Sequence, residues 1–269
     1  MQGTRGVVAG ATMVLKAVSR ILANRVRPLQ ALLSVRRLIA NPDATEEVFR
    51  VIEALKGDSI ARAVTRLRQT PEGRSLLESR AQILPLLCDR ARLQALPEGT
   101  VGRSYVDLME RQGITAEGLV AASASSQRHA GLTEDEQWLA DRLRDIHDLQ
   151  HVLTGYGPDP LGELCLLSFM TTQTYNRGIA FIVFMARHSA RRRFPPGVDL
   201  DACIEEGAAL GRASRWLPAL RLEDCLADPL AEVRARLGMP VPQRYLETLA
   251  SFREPGDSQV VATGQVQRV

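Results

Sequence analysis

A helix-initiating motif in the middle of the chain constrains the fold more than any other feature. Thr133-Glu134-Asp135-Glu136 has the pattern of a capping box, in which Thr133 and Glu136 satisfy each other's free backbone N–H groups. Apolar residues then recur every three or four positions as far as Leu153, which is the spacing of an amphipathic helix. Glycines and prolines over residues 155–160 end the pattern. The motif therefore predicts one long helix followed by a tight loop.

The rest of the chain divides into further helical segments with their own start and stop signals. Thr70-Pro71 is typical of a helix start and Gly113 of a helix end. No run of alternating β-branched residues indicates a strand. We therefore predict an all-α fold, with a single compact multi-helix domain over residues 28–252. A basic amphipathic helix over residues 1–27 would precede it, and a flexible, disordered tail over residues 253–269 would follow.

Charge and hydropathy narrow the functional classes. The net charge is +3 over 269 residues, which is too small for a general nucleic-acid binder. No uninterrupted apolar run reaches the roughly 18 residues that span a bilayer, and no signal peptide is evident. Because Cys88, Cys165, Cys203 and Cys225 form no Cys-x-x-Cys pair, we expect reduced thiols in a cytosolic protein.

The N-terminal segment as far as Pro42 contains seven basic residues, no acidic residue, and apolar residues at helical spacing. Such a segment can lie on an anionic membrane surface, where each nearby arginine contributes about 1 kcal/mol. An ordinary surface helix that packs on the domain would have the same pattern. We expect a bacterial cytoplasmic protein that associates peripherally with the inner membrane.

A candidate metal site lies within the long predicted helix. His147 and His151 are four residues apart, so both imidazoles project from one helix face, and Asp148 adjoins that face. Glu163 follows His151 by twelve residues, beyond a loop long enough to turn the next helix back. Two imidazole nitrogens with one or two carboxylate oxygens suit zinc, with iron(II), manganese or magnesium as alternatives. Solvated polar side chains on a helix face are the competing interpretation.

Three segments around and before this site form a characteristic set. Residues 144–155 read RDIHDLQHVLTG, Leu161-Gly162-Glu163 follows, and residues 96–105 read LPEGTVGRSY. A weaker landmark is Glu72-Gly73-Arg74. Together these segments resemble the Coq4 family of ubiquinone (coenzyme Q) biosynthesis proteins, and the resemblance extends over about residues 30–240.

The resemblance implies an all-α zinc protein, peripheral to the membrane where ubiquinone is made, with His147, Asp148, His151 and Glu163 as metal ligands. It implies a lyase that removes the C1 carboxyl group of a 4-hydroxy-3-methoxy-5-polyprenylbenzoate type of precursor, in some accounts oxidatively. The implied partners are this isoprenoid precursor, other ubiquinone biosynthesis proteins and the membrane surface, with a homodimer as an option and no nucleic acid.

Two pairs of residues have predicted roles around the metal. Asp148 and His147 are the candidate catalytic residues. If Asp148 is not a metal ligand, it would serve as a proton shuttle. Arg144 and Asp145 are candidates for orienting the imidazoles from behind.

Five further residues are candidates for substrate binding. Arg103 and Tyr105 would orient the polar head group, while Phe169, Met170 and Phe181 would line a groove for the polyprenyl tail. The alternative for the first two is a structural salt bridge or a buried hydrogen bond, and the alternative for the other three is an ordinary helix core.

Three functions stay open at this point. The first is a metal-dependent decarboxylase of a prenylated quinone precursor. The second is a non-catalytic, lipid-binding organiser of the ubiquinone biosynthesis complex, with a structural metal. The third is a metal-dependent hydrolase, which is disfavoured because Asp148 stands where zinc proteases have a longer glutamate as general base.

Overall fold

The computed structural model describes most of the chain between residues 57 and 252. The described stretches are residues 57–115, 132–190 and 198–252, with single positions at 118 and between 31 and 55. The predicted N-terminal helix of residues 1–27 and the predicted tail of residues 253–269 lie outside the described residues.

Within the described residues there are twelve α-helices and two short 3-10 turns. They are α1 (Ser59–Leu67), α2 (Pro71–Ser79), α3 (Leu84–Cys88), α4 (Arg90–Gln94), α5 (Val101–Arg111), α6 (Glu134–Asp145), α7 (His147–Thr154), α8 (Pro160–Thr174), α9 (Arg177–Ala190), α10 (Leu200–Ala213), the 3-10 turns Leu217–Ala219 and Leu222–Cys225, α11 (Leu230–Leu237) and α12 (Gln243–Ser251). Thr100 and Pro229 form an isolated antiparallel bridge, and the described part of the chain has no strand. The all-α prediction is confirmed.

The predicted helix starts are built as their sequences indicate. The hydroxyl of Thr70 accepts a hydrogen bond from the backbone N–H of Gly73 at 3.1 Å. At the start of α6, the backbone N–H of Thr133 donates to the Glu136 carboxylate at 2.8 Å, and the Glu136 N–H donates to the Thr133 hydroxyl at 3.3 Å. Both ends of this capping box are therefore satisfied.

The helix predicted to run unbroken to Leu153 is instead divided at Ile146, which has φ −88° and ψ 0°. The reason lies in the packing on either side of the break. Trp138 of α6 belongs to a small core with α1 and α2, whereas Ile146 and Leu149 are buried in the main core. The change of direction lets each helix bury its own apolar face, and apolar spacing alone does not reveal it.

The main core surrounds α7 and α8, which are packed by α5, α10 and α11. Helices α8 and α10 are in close contact at Gly207 and Gly211. A Cβ atom on Gly207 would lie 2.3 Å from the carbonyl oxygen of Cys165, and one on Gly211 would lie 2.6 Å from that of Phe169. Only glycine permits this backbone-to-backbone contact.

Two further predictions concern the thiols and the membrane. Among the described residues, none of the four cysteines is in a disulfide; three are buried and Cys88 is half-buried. Among the described residues, no helix combines the length and the apolar character needed to cross a bilayer.

Candidate metal centre

The two helices that hold the candidate ligands are joined by a short, ordered loop. Gly155 adopts φ +84° and ends α7, donating its N–H to the carbonyl of His151 at 2.9 Å. The Asp159 carboxylate then accepts hydrogen bonds from the N–H groups of Leu161 and Gly162, at 3.1 and 3.0 Å. These bonds start α8 at Pro160 and place Glu163 in its first turn, where the helix dipole favours a negative charge.

His147, His151 and Glu163 converge on one point. The Nε2 atom of His151 lies 3.1 Å from Glu163 Oε2, and the Nε2 atom of His147 lies 3.4 Å from Glu163 Oε1. One potential ligand atom of each residue lies within 4.8 Å of the others. Ligands on a tetrahedral zinc ion, with bonds of about 2.0–2.1 Å, are roughly 3.4 Å apart. The three side chains are therefore spaced as ligands of a single ion.

The remaining ring nitrogens of both histidines already face acceptors. His151 Nδ1 lies 3.0 Å from the carbonyl oxygen of Tyr156, and His147 Nδ1 lies 3.1 Å from Asp148 Oδ1. Because a carbonyl or carboxylate oxygen only accepts, each Nδ1 donates, which leaves the lone pair of the neutral imidazole on Nε2. This is the usual support for metal-binding histidines, so the donor set fits a divalent ion.

One side of the cluster is buried and the other reaches solvent. His151 is 4% exposed, whereas the side chains of His147 and Glu163 are 30% and 39% exposed. Solvent therefore reaches the cluster on the side of His147 and Glu163, while His151 is enclosed by the core.

Charge coupling within the cluster shifts two pKa values strongly. Burial would lower the pKa of His147, but hydrogen bonds with Asp148 and Glu163 outweigh it and raise the pKa to about 10. Burial would raise the pKa of Glu163, but hydrogen bonds with His147 and His151 bring it far below its usual range. Without a metal, the cluster thus retains a proton that a bound cation would replace.

Asp148 stands apart from the three converging residues. It contacts Nδ1 of His147, on the opposite edge of the ring from Glu163. The structure thus brings together three of the four predicted ligands and gives Asp148 a supporting contact.

Arg144 and Asp145 were predicted to orient the imidazoles, but other groups contact the ring nitrogens. Arg144 bonds to Asp145 at 3.1 Å and to Asp141 at 3.0 Å. Both residues end α6 before the turn at Ile146, so they belong to a different helix from the histidines. The groups behind the imidazoles are the Asp148 carboxylate and the Tyr156 carbonyl.

Of the predicted head-group residues, Tyr105 is close to the cluster and Arg103 has other partners. Tyr105 is 1% exposed on α5, which packs against α7. Burial first, and then the negative charge of Asp148, raise the pKa of this phenol. Arg103 bonds to Asp107 at 3.0 Å and to the carbonyl of Gln94 at 2.9 Å, which is the salt-bridge alternative.

The predicted tail-binding residues lie in the helix cores. Phe169 and Met170 are buried in the main core, and Phe181 packs against a small third core around Ile182. Their packing corresponds to the core alternative.

Sequence reasoning missed a backbone group at the cluster and an arginine beside Tyr105. The Tyr156 carbonyl is a backbone group, which no residue type could signal. The guanidinium of Arg90 lies 5.8 Å from the centre of the Tyr105 ring and donates to the carbonyl of Ile114 at 3.2 Å. A single arginine at the start of a short helix gives no indication in the sequence that it will contact Tyr105.

Comparison with known proteins decides the family. The family model described as coenzyme Q (ubiquinone) biosynthesis protein Coq4 matches residues 22–243. The chain belongs to the Coq4 family. The Pyricularia oryzae ubiquinone biosynthesis protein COQ4, mitochondrial, is 29% identical to it over 188 residues, which are 66% of this chain and 58% of the fungal protein.

Two other proteins extend the comparison. The human mitochondrial COQ4 homolog is 25% identical over 189 residues, covering 69% of this chain and 67% of the human protein. A crystal structure from Nostoc punctiforme, described as a candidate ubiquinone biosynthesis protein, covers 78% of this chain and 97% of its own, with a TM-score of 0.59 and 24% identity. This likeness shows that the fold is shared.

Proposed function

We propose that this Coq4 family member acts in ubiquinone biosynthesis by removing the C1 carboxyl group of a polyprenylated 4-hydroxybenzoate precursor at a divalent metal centre. The observation that carries the proposal is the convergence of His147, His151 and Glu163, with each imidazole backed by an acceptor. Family membership supports the substrate class. Zinc is our first choice of metal, since three protein ligands leave a position open, and iron(II), manganese and magnesium are the alternatives.

The ligand residues would hold the ion and leave one side accessible. His147 and His151 would bind it through Nε2 and Glu163 through its carboxylate. When bound, the ion supplies a Lewis acid that offsets negative charge on the substrate's carboxylate or ring oxygen. The solvent-facing edge at Glu163 would admit the substrate's polar ring, while its tail stays outside this polar cluster.

Decarboxylation without a change of oxidation state needs a proton at C1. The bond from C1 to the carboxyl carbon breaks, carbon dioxide leaves, and the proton takes its place on the ring. The para hydroxyl group of the substrate favours this exchange, because protonated C1 is stabilised as a dienone. Asp148 is our candidate for the proton carrier, since its side chain is 27% exposed and contacts His147. Tyr105, whose raised pKa keeps its phenol neutral, would donate a hydrogen bond to the polar head group of the substrate.

Metal analysis of the purified protein tests the centre. We expect stoichiometric metal in the wild type and its loss in His147→Ala and Glu163→Ala. The matched control is His188→Ala, since His188 is an exposed histidine on α9 that lies outside the cluster. Metal-free protein with full activity would refute a metal-dependent reaction.

The reaction itself is tested with a precursor labelled with carbon-13 in its carboxyl group. The wild type and His188→Ala should release labelled carbon dioxide anaerobically, and folded His151→Ala should not. In a strain lacking this gene, the wild type and His188→Ala should prevent accumulation of the carboxylated precursor. Folded His151→Ala should not prevent it. Full rescue by folded His151→Ala would contradict catalysis and favour the organiser with a structural metal.

A further inference from the structure

The last described helix contacts the loop of the candidate metal centre. Tyr245, on α12, is 1% exposed. Its hydroxyl accepts a hydrogen bond from the backbone N–H of Gly157 at 2.9 Å and donates one to Asp159 Oδ2. One side chain from the C-terminal part of the chain thus binds two residues of the five-residue loop that joins α7 to α8.

The hydrogen bonds to Tyr245 are part of a closely packed connection to α8. While Asp159 Oδ2 binds Tyr245, its Oδ1 atom binds the first N–H groups of α8. A Cβ atom on Gly157 would lie 2.5 Å from the Tyr245 hydroxyl, and one on Gly162 would lie 2.1 Å from the carbonyl of Gly157. The phenol, the loop and the start of α8 are therefore in direct contact, with no room for a side chain at either glycine.

The same loop determines the position of two candidate ligands. The Tyr156 carbonyl, directly before Gly157, accepts the Nδ1–H of His151 at 3.0 Å. The N–H of Glu163 donates to the carbonyl of Asp159 at 2.8 Å. A shift of this loop would therefore change the orientation of the His151 ring and the position of the Glu163 carboxylate together.

Tyr245 is itself held from the opposite side. The Glu206 carboxylate, on α10, accepts hydrogen bonds from the backbone N–H groups of Arg244 and Tyr245, at 2.9 and 3.1 Å. Because α10 packs directly against α8, the start of α12 is fixed to the same pair of helices. The phenol has a defined position from which to hold the loop.

We propose that Tyr245 is a positioning residue of the metal centre, whose hydroxyl fixes the loop of residues 155–159 so that His151 and Glu163 meet one ion. The part that concerns the ion rests on the proposed function. Nearby Tyr156 provides a natural contrast, since the two rings are in edge contact with centroids 5.4 Å apart. Among the described residues, the buried hydroxyl of Tyr156 has no hydrogen-bond partner, so Tyr156 supports His151 through its backbone carbonyl and not through its hydroxyl.

Tyr245→Phe and Tyr156→Phe therefore form a matched pair of substitutions. Each removes one buried hydroxyl beside the same loop, but only the first removes hydrogen bonds. We expect Tyr245→Phe to weaken Co²⁺ binding roughly 10- to 100-fold, as for other groups that orient metal ligands. Tyr156→Phe should stay within about twofold of the wild type, since it loses no hydrogen bond. Chelator competition measures the affinity, and the visible absorption of bound Co²⁺ reports whether the ligand geometry changes.

A second measurement does not depend on metal. In metal-free protein labelled with ¹⁵N-histidine, the Nδ1–H of His151 should give a slowly exchanging NMR signal in the wild type and in Tyr156→Phe. Tyr245→Phe should lose it or exchange it at least tenfold faster. Circular dichroism verifies that each variant is folded. Should Tyr245→Phe fail to fold, Asp159→Asn replaces it. The asparagine keeps an oxygen that can cap α8, but its N–H₂ group cannot accept the hydrogen bond that the Tyr245 hydroxyl donates.

The outcomes separate the two proposals. Loss of the His151 signal in Tyr245→Phe alone supports the positioning role, even if the wild type takes up no Co²⁺, a result that would contradict only the metal centre. Unchanged signals and affinities in Tyr245→Phe, or equal losses in both variants, would overturn the positioning role.

Discussion

Two consecutive helices each present basic side chains to a carboxylate from a later part of the chain, and the two arrangements differ in their access to solvent. On α6, Arg142 meets Glu223, with side chains 2% and 8% exposed. On α7, His147 and His151 meet Glu163, which is 39% exposed. The first arrangement is closed to solvent and the second is open.

The difference extends to what each pair can exchange. Arg142 forms two hydrogen bonds with Glu223, at 2.6 and 2.9 Å, and a third with the carbonyl of Leu220 at 2.9 Å. Burial would raise the pKa of Glu223, but the hydrogen bonds with Arg142 lower it. A guanidinium does not lose its proton in proteins, so this pair is fixed. An imidazole can lose its proton, so the pair at Glu163 would exchange that proton for a metal ion under the proposed function.

The largest effect should follow from opening the closed pair. Glu223→Ala leaves the Arg142 charge buried and unpaired, which should lower the free energy of unfolding by about 3–5 kcal/mol. Urea unfolding of the metal-free protein measures it. The control is Asp228→Ala, which removes the partner of Arg236 from a pair exposed by 36% or more and should cost under about 1 kcal/mol. Similar losses in the two variants would remove the distinction between closed and exposed pairs.

The pH dependence of metal binding should mark the open cluster. His147 retains its proton up to a pKa of about 10 in the metal-free state and would have none at Nε2 when bound. Each pH unit gained between 7 and 9 lowers the competing proton concentration tenfold, so the affinity should rise about tenfold per pH unit. Calorimetric titration in buffers of different ionisation enthalpy counts the released protons. In Glu163→Gln, which lacks a group that raises this pKa, the rise should flatten. A pH-independent affinity in the wild type would contradict proton exchange at His147.

Asp148→Asn should have an intermediate effect. The amide oxygen can still accept the Nδ1–H of His147, but the negative charge behind the ring is lost. We expect the metal affinity to fall about tenfold, the lower end of the range for such supporting groups. Asp145→Asn is the matched control, because Asp145 pairs with Arg144 instead of a histidine, and its metal affinity should change by less than about twofold. A larger effect in Asp145→Asn would restore the orienting role predicted from the sequence.

The smallest effect should be on the stability of the metal-free protein with Glu163→Gln. Because 39% of this side chain is exposed, solvent screens its coupling to the two histidines, so its loss should change the free energy of unfolding by under about 1 kcal/mol. Thermal unfolding in the presence of a chelator measures the change. A loss comparable to that of Glu223→Ala would indicate that the cluster at Glu163 has a structural role.

Local signals in the sequence were sufficient for several helix ends and for naming the candidate ligands. Thr133 and Glu136 form their capping box within four residues, and Pro160 begins α8 where predicted. The i and i+4 spacing of His147 and His151 survives the break at Ile146, because both lie on α7. Such features depend on neighbours in sequence, which a sequence displays directly.

Features that depend on distant segments could not be predicted in this way. The turn at Ile146 follows from packing against two separate cores. The support of His151 comes from a backbone carbonyl, and the loop that provides it is bound by Tyr245, 88 positions from Gly157. The sequence also could not distinguish a groove from a core at Phe169 and Met170. A buried helix has the same aromatic and apolar composition whether it faces a ligand or a core.

The backbone contact at Gly207 and Gly211 has a consequence for genetics. Side chains at a helix interface can adapt by changing rotamer, whereas two touching backbones can only separate. Alanine at either glycine would displace α8 as a whole, and Glu163 lies on that helix. We therefore expect these two positions, neither of which is a candidate ligand, to yield conditional alleles. If the proposed function holds, cells that carry them would make ubiquinone at low growth temperature and lose it when warmed, although every ligand residue is intact.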